Sequence, residues 1–364
     1  MKVCFVAGTL GRGGAERQLI FMLRSLKNVG ITSRLLCLTK GEALEEEIRD
    51  LGVDVHSIET RGGRLMTLRS IVKELRKQPA DIVQSSHFYT NIYVSIAGRF
   101  NGIPSIGAIR SDLAFELTSN GSYGKYQLRL PRHLIANSKL SLERAVSFGV
   151  DRDRIDLVRN VVACGSNNEG PHNSRDEATR ILFVGRLGKE KRPEIFVRLA
   201  YELVNTLPDR KLKFRIVGDG PLRPELETLA RGYGLTPDVL SLDGEHPEIS
   251  DVYNGTDLVV LTSKHEGTPN VALEAMSHSI PVVAANVGGV PEILNSTKGI
   301  VVDPMDFAGL LKATTELILD RNARTALGAN GRQYVKENHS LQYLEQRLTG
   351  IYTGLLAGRN NGRG

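Results

Sequence analysis

Glu266 and Glu274 stand eight positions apart in HEGTPNVALEAMSHSIPVVAANVGGVPEIL, with a Gly-Thr-Pro turn directly after the first. Proline is favoured in the first turn of a helix, where its missing N–H costs nothing, so Pro269 predicts a helix opening there. Glu266 then precedes the helix and Glu274 lies about a turn and a half inside it. That spacing does not place two acids on one helix face at i and i+4. It lets one carboxylate serve the part of a ligand at the helix tip and the other a part lying beside the helix. Carboxylates accept strongly from sugar hydroxyls. Taken singly, each glutamate reads first as a structural residue, an N-terminal helix acid or a solvated helix acid.

A second group of chemistry-bearing residues lies in FVGRLGKEKRPE. An apolar run ends at Gly185, and Arg186 and Lys191 follow in the loop. Two cations at a strand end suit a phosphate or diphosphate, the guanidinium as a two-pronged donor and the ammonium as a point charge. The alternative is solvated surface charge. A third group is the loop TLGRGGAE after Gly8, where Gly11, Gly13 and Gly14 allow close backbone approach just before a helix. A helix N-terminus offers free N–H groups and partial positive charge to an anion. The G-x-G-x-x-G dinucleotide fingerprint cannot be drawn there, so a bare tight turn stands as the other reading.

The elements that must position these residues are short Val- and Ile-rich runs alternating with helical patterns. KVCFVAG, SRLLCLT, VDVHSI, DIVQSS, IPSIGAI, HLIANS and IDLVRN occupy the first half; RILFVGRL, KFRIVGDG, VLSLDG, DLVVLTS, PVVAAN and GIVVDP the second. Near-continuous apolar strands with helices between them read as parallel sheets covered on both faces. Leu19, Ile20, Leu23 and Leu26 fall on one face of a helix running from about Ala15 to Asn28. The polar stretch CGSNNEGPHNSRDEAT has no apolar period and reads as a linker. The expected organisation is an acceptor-side domain over 1–165, a linker at 166–179 and a second domain over 180–338. A terminal helix at 339–364 would pack back on the first domain and end in a polar tail. The fold class is α/β, with two doubly wound parallel-sheet domains facing a central cleft and ligand at the strand C-terminal ends.

The 364 residues are 41% hydrophobic and 24% charged, which excludes a disordered or fibrous chain. No run is long enough to span a membrane, and the N-terminus leads into a glycine loop instead of a signal-peptide cleavage site. Three scattered cysteines (Cys4, Cys37, Cys164) argue against a disulfide framework or zinc site and fit a reducing cytoplasm. The net charge of +6 is unevenly placed: residues 1–165 carry 24 basic against 16 acidic residues, the remainder 23 against 25.

GGAE at 13–16, VGRL…EK at 184–191, VGDGPLRPELE at 217–227 and EGTPNVALEAM at 266–276, followed by GGVPEIL, occur in the order and spacing of glycosyltransferase family 4. The resemblance covers nearly the whole chain and is strongest in the second half. It implies the GT-B fold and a retaining, metal-independent enzyme using a nucleotide-sugar, UDP-sugar foremost, as substrate and needing no cofactor. It further implies that Arg186 and Lys191 neutralise the donor diphosphate and that Glu266 hydrogen-bonds the transferred sugar. Glu274 would hold the ribose. Gly185 and the backbone of Gly267, Thr268, Pro269, Asn270 and Val271 would meet diphosphate and sugar. The base would lie near Gly244, His246 and Pro247, while Gly13 and Gly14 approach from the first domain.

Two departures fall on the acceptor side. Many relatives have a histidine where AIRSDL here places Arg110, so His87 in QSSHFYTN becomes the other candidate. The familiar N-G-V-D is Asn160-Val161-Val162-Ala163, keeping only Asn160. The family mechanism is front-face attack, with the departing phosphate taking the acceptor proton and domain closure excluding water. A nucleotide-sugar epimerase of the same fold and a non-catalytic two-domain sugar-binding protein are the rival readings. No nucleic-acid-binding motif accompanies the charge.

The expected acceptor is a glycan or lipid-linked saccharide in cell-surface polysaccharide or glycolipid synthesis. Arg61, Arg64, Arg69, Lys73, Arg76 and Lys77 share a helical segment with Leu65, Leu68, Ile71, Val72 and Leu75. This is either a sheet-packed helix with a solvated basic face or a surface resting on anionic lipid. On the second reading the protein is cytoplasmic and peripheral at the inner face of the membrane.

Overall fold

The computed structural model describes residues 1–58, 62–121, 123–163, 178–246 and 249–360. The expected linker falls almost wholly outside the described residues, as do Arg61, Cys164 and Pro247. The chain divides into two compact units: Met1–Val161 with Leu341–Gly364, and Val162–Ser340.

In the first unit the strands are β1 (Lys2–Ala7), β2 (Thr32–Cys37), β3 (Asp54–Ser57), β4 (Ile82–Ser85), β5 (Ser105–Ile109), β6 (His133–Ala136) and β7 (Ile155–Leu157). They form one sheet in the order β3-β2-β1-β4-β5-β6-β7, every pair parallel. Each strand returns through a helix, so both faces are covered and β1 buries every residue from Val3 to Ala7. The helix Gly14–Asn28 buries Leu19, Ile20, Leu23 and Leu26 as its period requires. Leu344, Leu348, Ile351 and Tyr352 of the terminal helix Leu341–Asn360 join the same core. Tyr352 is fully buried, and its hydroxyl donates to Gln84 Oε1 on β4 at 2.6 Å.

The second unit contains β8 (Thr179–Val184), β9 (Leu212–Val217), β10 (Leu240–Gly244), β11 (Leu258–Leu261), β12 (Val282–Ala285) and β13 (Ile300–Val302). Its sheet, also all parallel, runs β10-β9-β8-β11-β12-β13. In both sheets the order reverses beside the first strand, β1 against β4 and β8 against β11. Loops leaving the two strands at such a reversal diverge to opposite faces and leave a crevice at the strand C-termini, where doubly wound folds bind ligands. The expected α/β class and the two doubly wound sheets are therefore present.

The helix Gly63–Lys77 departs from its expected apolar stripe. Thr67, Ile71 and Leu75 are buried, while Leu65 is 62% exposed. At 100° per residue Leu65 points about 120° away from Ile71. Thr67 takes the buried face instead, its hydroxyl satisfied by the Gly63 carbonyl at 3.1 Å.

Candidate functional site

The second unit assembles its polar cluster from the loops after β8 and β11, whose strands are direct neighbours (Ile181 opposite Leu258, Leu182 opposite Val259). Thr262, at the end of β11, donates its hydroxyl to the carbonyls of Lys191 and Arg192 at 2.8 and 2.9 Å. This pins Arg192 in the left-handed region (φ 52°) directly before Pro193, which opens the next helix. Lys191 is thereby aimed across the strand ends. Its Nζ donates to Glu266 Oε1 at 2.6 Å, and Ser263 Oγ donates to the same oxygen at 2.7 Å. The Glu266 side chain is only 10% exposed, and its Oε2 takes no hydrogen bond from the described residues.

The GGVPEIL segment explains itself here. Gly288 has φ 52°, and a Cβ at that position would overlap the Glu266 carbonyl. Gly289 N–H then donates to the Gly267 carbonyl at 2.7 Å. A glycine is thus required for the Glu266 loop to lie where it does.

The helix expected at Pro269 runs Asn270–Ser277, one residue later than expected. Pro269 is its N-cap, extended at φ −72°, ψ 112°, because a ring that fixes φ near −65° suits the cap as well as the first turn. Gly267, Thr268 and Pro269 are buried ahead of it, and Asn270 and Val271 open it half-buried, so the backbone donors of a helix N-terminus follow Glu266 directly. Glu274 lies within the helix, half-buried, and Tyr253 donates its hydroxyl to Glu274 Oε2 at 2.7 Å. Gly185 ends β8 with its N–H on the Val217 carbonyl at 3.0 Å. The carbonyl of Gly244 accepts from Gly218 N–H at 2.8 Å, and His246 lies half-buried two residues on. Arg186 is exposed and makes no side-chain hydrogen bond or ion pair with the described residues.

In the first unit the reversal point carries a different arrangement. Gly8 N–H donates to His87 Nδ1 at 3.1 Å, which makes Nδ1 the acceptor and puts the ring proton on Nε2. That Nε2 faces Glu16 Oε1 at 3.0 Å, with both residues buried. Glu16 folds back over Gly13, the N-cap of its helix, where a Cβ would collide with the carboxylate. A side chain at Gly13 would displace the Glu16 carboxylate from His87, and both nitrogens of His87 are engaged within the protein. Gly14 opens the helix, exposed.

Arg110 follows β5 and lies half-buried. Its Nη2 is 3.1 Å from Met22 Sδ, and its Nε is buried without an acceptor. Burial brings its pKa down to about 10. No carboxylate among the described residues pairs with it. Asn160 is buried just before Val161, whose N–H and carbonyl are both held by the Gln18 side chain at 2.8 Å. On the helix Leu113–Ser119, burial pushes the Glu116 carboxyl up to about 7.

Among the described residues no group of three or more His, Cys, Asp or Glu could hold a metal ion. The family model described as Glycosyl transferases group 1 matches residues 166–334, and that described as Glycosyltransferase Family 4 matches residues 12–165. The chain belongs to glycosyltransferase family 4. It is 33% identical over 215 residues to a D-inositol 3-phosphate glycosyltransferase of Corynebacterium kroppenstedtii, covering 54% of this chain and 48% of the relative. It is 35% identical over 180 residues to an alpha-D-kanosaminyltransferase of Streptomyces kanamyceticus, covering 49% and 46%. The chain thus spans about half the length of these two curated relatives. A third alignment runs nearly end to end, at 27% identity over 93% of this chain and 94% of the relative. That relative is a Campylobacter jejuni alpha-1,4-N-acetyl-D-galactosaminyltransferase named for a diNAcBac-PP-undecaprenol-linked saccharide. Among solved structures, Anabaena HepE in complex with UDP-glucose shares the fold with a TM-score of 0.83. Its identity is 18%, over 97% of this chain and 100% of that one.

The family 4 reading names Lys191 and Glu266 separately, for diphosphate and for sugar. The structure adds that they are bonded to each other and that Ser263 shares the carboxylate. Ser263 carried no sequence signal of its own; its place three residues before Glu266, at the end of an apolar strand, was the available clue.

Proposed function

We propose that this family 4 protein is a retaining glycosyltransferase that moves a sugar from a UDP-sugar to a hydroxyl of a glycan or lipid-linked saccharide. The observation that carries the reading is the Lys191–Glu266–Ser263 cluster directly ahead of a helix N-terminus at the second sheet's reversal point. An ammonium has three N–H donors. Lys191 can therefore keep Glu266 on one and offer the others to a diphosphate, with exposed Arg186 adding a two-pronged donor. Glu266 Oε2 then accepts from a hydroxyl of the transferred sugar, and Glu274 accepts from the ribose.

As the sugar–phosphate bond breaks, negative charge grows on the leaving diphosphate. Lys191, Arg186 and the N–H groups at Asn270 and Val271 stabilise that charge more than they stabilise the intact donor, which lowers the barrier. The acceptor hydroxyl attacks on the face the diphosphate leaves and passes its proton to the departing phosphate oxygen, so the anomeric configuration is retained without a carboxylate nucleophile. Acceptor recognition falls to first-unit groups, with Arg110 a cation there that no carboxylate among the described residues neutralises. Thermal-shift screening against UDP-, GDP- and ADP-sugars tests the donor assignment, since a ligand that binds only the folded state raises the melting temperature. Stabilisation by UDP-sugars above the others is the expected result; none by any nucleotide-sugar would overturn the reading.

The same reading places the protein in the cytoplasm, at the inner face of the membrane. On the helix Gly63–Lys77, Arg64, Arg69, Lys73, Arg76 and Lys77 are exposed, beside Leu65 at 62% and Met66 at 48% exposure. No described helix is long and apolar enough to cross a membrane. Basic residues near an anionic surface contribute up to ~1 kcal/mol each, and the two apolar side chains would insert at the interface. Sedimentation with anionic vesicles at low salt, reversed by high salt and absent with neutral vesicles, is the expected behaviour. Equal, negligible binding to both would favour a soluble acceptor.

A further inference from the structure

Tyr253 ends the short helix Ile249–Tyr253 and is buried to 2% exposure. Buried tyrosines usually pack the ring in the core and satisfy the hydroxyl on any nearby carbonyl. This one gives its hydroxyl to the Glu274 carboxylate at 2.7 Å, while its ring stacks on His278, centroids 5.1 Å apart and planes 24° from parallel. Glu274 and His278 are one helical turn apart, and His278 Nδ1 lies 2.9 Å from the Glu274 carbonyl. Tyr253 therefore grips the same turn at two points, ring on imidazole and hydroxyl on carboxylate. Burial, and after it the Glu274 charge, hold the phenol well above its ordinary pKa, so the hydroxyl remains a donor throughout the working pH range.

We infer that Tyr253 is a positioning residue for nucleotide recognition: by fixing Glu274 Oε2 it orients the carboxylate so that Oε1 accepts from a ribose hydroxyl. This rests on the reading of Glu274 as the ribose ligand and names what holds that ligand in place. A glutamate on a helix has three rotatable side-chain bonds, and a freely rotating carboxylate would lose that freedom on binding the nucleotide. With one oxygen already tethered, the ordering is complete before the donor arrives.

The test separates positioning from folding. Tyr253→Phe removes only the hydroxyl and keeps the stacked ring. The expected result is a donor KM raised about tenfold, the scale of one charge-assisted hydrogen bond, with kcat changed less than twofold. By calorimetry, UDP affinity should fall by a similar factor while inorganic pyrophosphate, which has no ribose, binds as before. In a Glu274→Gln background, Tyr253→Phe should add less than twofold. An unchanged KM in Tyr253→Phe beside an impaired Glu274→Gln would overturn this inference alone. Equal weakening of UDP and pyrophosphate, or the same factor in both backgrounds, would do so too by reducing Tyr253 to a folding role. Should Glu274→Gln itself keep the parent donor KM, the ribose assignment falls and this inference with it.

Discussion

Lys191→Met should destabilise the second unit, and Glu266→Gln should then repair part of the loss. The Lys191 Nζ to Glu266 Oε1 distance is 2.6 Å, with the side chains 27% and 10% exposed. At an effective dielectric of about 20, the gross attraction at that distance is ~6 kcal/mol. Dehydration of the two charges offsets most of this, so the pair as a whole contributes little net stability. Removing one partner is another matter. The carboxylate stays mostly buried, keeps only the Ser263 hydroxyl, and loses its counter-charge. Breaking fully buried pairs costs ~3–5 kcal/mol; with the lysine partly solvated, ~2–3 kcal/mol is expected here. The amide in Lys191→Met/Glu266→Gln carries no charge to leave unpaired, so the double variant should unfold at higher urea than Lys191→Met alone. The chain has no tryptophan, so far-UV circular dichroism is the suitable probe for all three proteins. A Lys191→Met variant with the parent's midpoint, or a double variant no better than the single, would mean that Glu266 does not depend on its counter-charge.

Glu274→Gln should weaken UDP binding by ~1.5–3 kcal/mol, through the loss of charged hydrogen bonds to ribose; calorimetry on the folded variant checks it. Gly288→Ala forces a Cβ against the Glu266 carbonyl at φ 52°, and should cut donor turnover at least tenfold, read from initial rates at saturating acceptor. Burial raises the Glu116 pKa to about 7 from the ordinary glutamate value of 4.5. The folded state therefore holds this proton more tightly than the unfolded state, and stability must fall as pH rises from 4.5 through 7. The upper limit is about 3 kcal/mol, and ~1–2 kcal/mol is expected given the group's partial exposure. Glu116→Gln should remove that loss, with urea midpoints above the parent at pH 8 and equal to it at pH 4.

The thirteen strands among the described residues were legible because parallel strands covered on both faces are written mostly as Val- and Ile-rich apolar runs. Strand order was not, since periodicity says what is buried and nothing about which neighbour buries it. That is why Lys191 and Glu266, 75 positions apart, could be named separately but not as a bonded pair. Their contact depends on β8 lying next to β11. Pro269 was misplaced by one residue because its ring suits the N-cap as well as the first turn. Leu65 shares the helical segment's apolar pattern but lies exposed, because Thr67 occupies the buried face with its hydroxyl satisfied locally. The glycines at 13 and 288 were visible as loop residues. What they make room for, the Glu16 carboxylate and the Glu266 carbonyl, is a matter of tertiary approach. Nothing in the sequence sets Tyr253 apart, and only its distance to Glu274 marks it.

On the function proposed above, the chain cleaves a UDP-sugar with retention, using the groups around Lys191 and Glu266. The most direct measurement is proton NMR of UDP-α-glucose, UDP-α-galactose and their N-acetyl counterparts incubated with the protein, water standing in as a slow acceptor. One donor should be consumed, and the free sugar should emerge first as the α-anomer, before mutarotation. Lys191→Met should slow this by about 10²–10³-fold. Initial release of the β-anomer, conversion to an intact epimeric UDP-sugar, or no cleavage of any donor would contradict it.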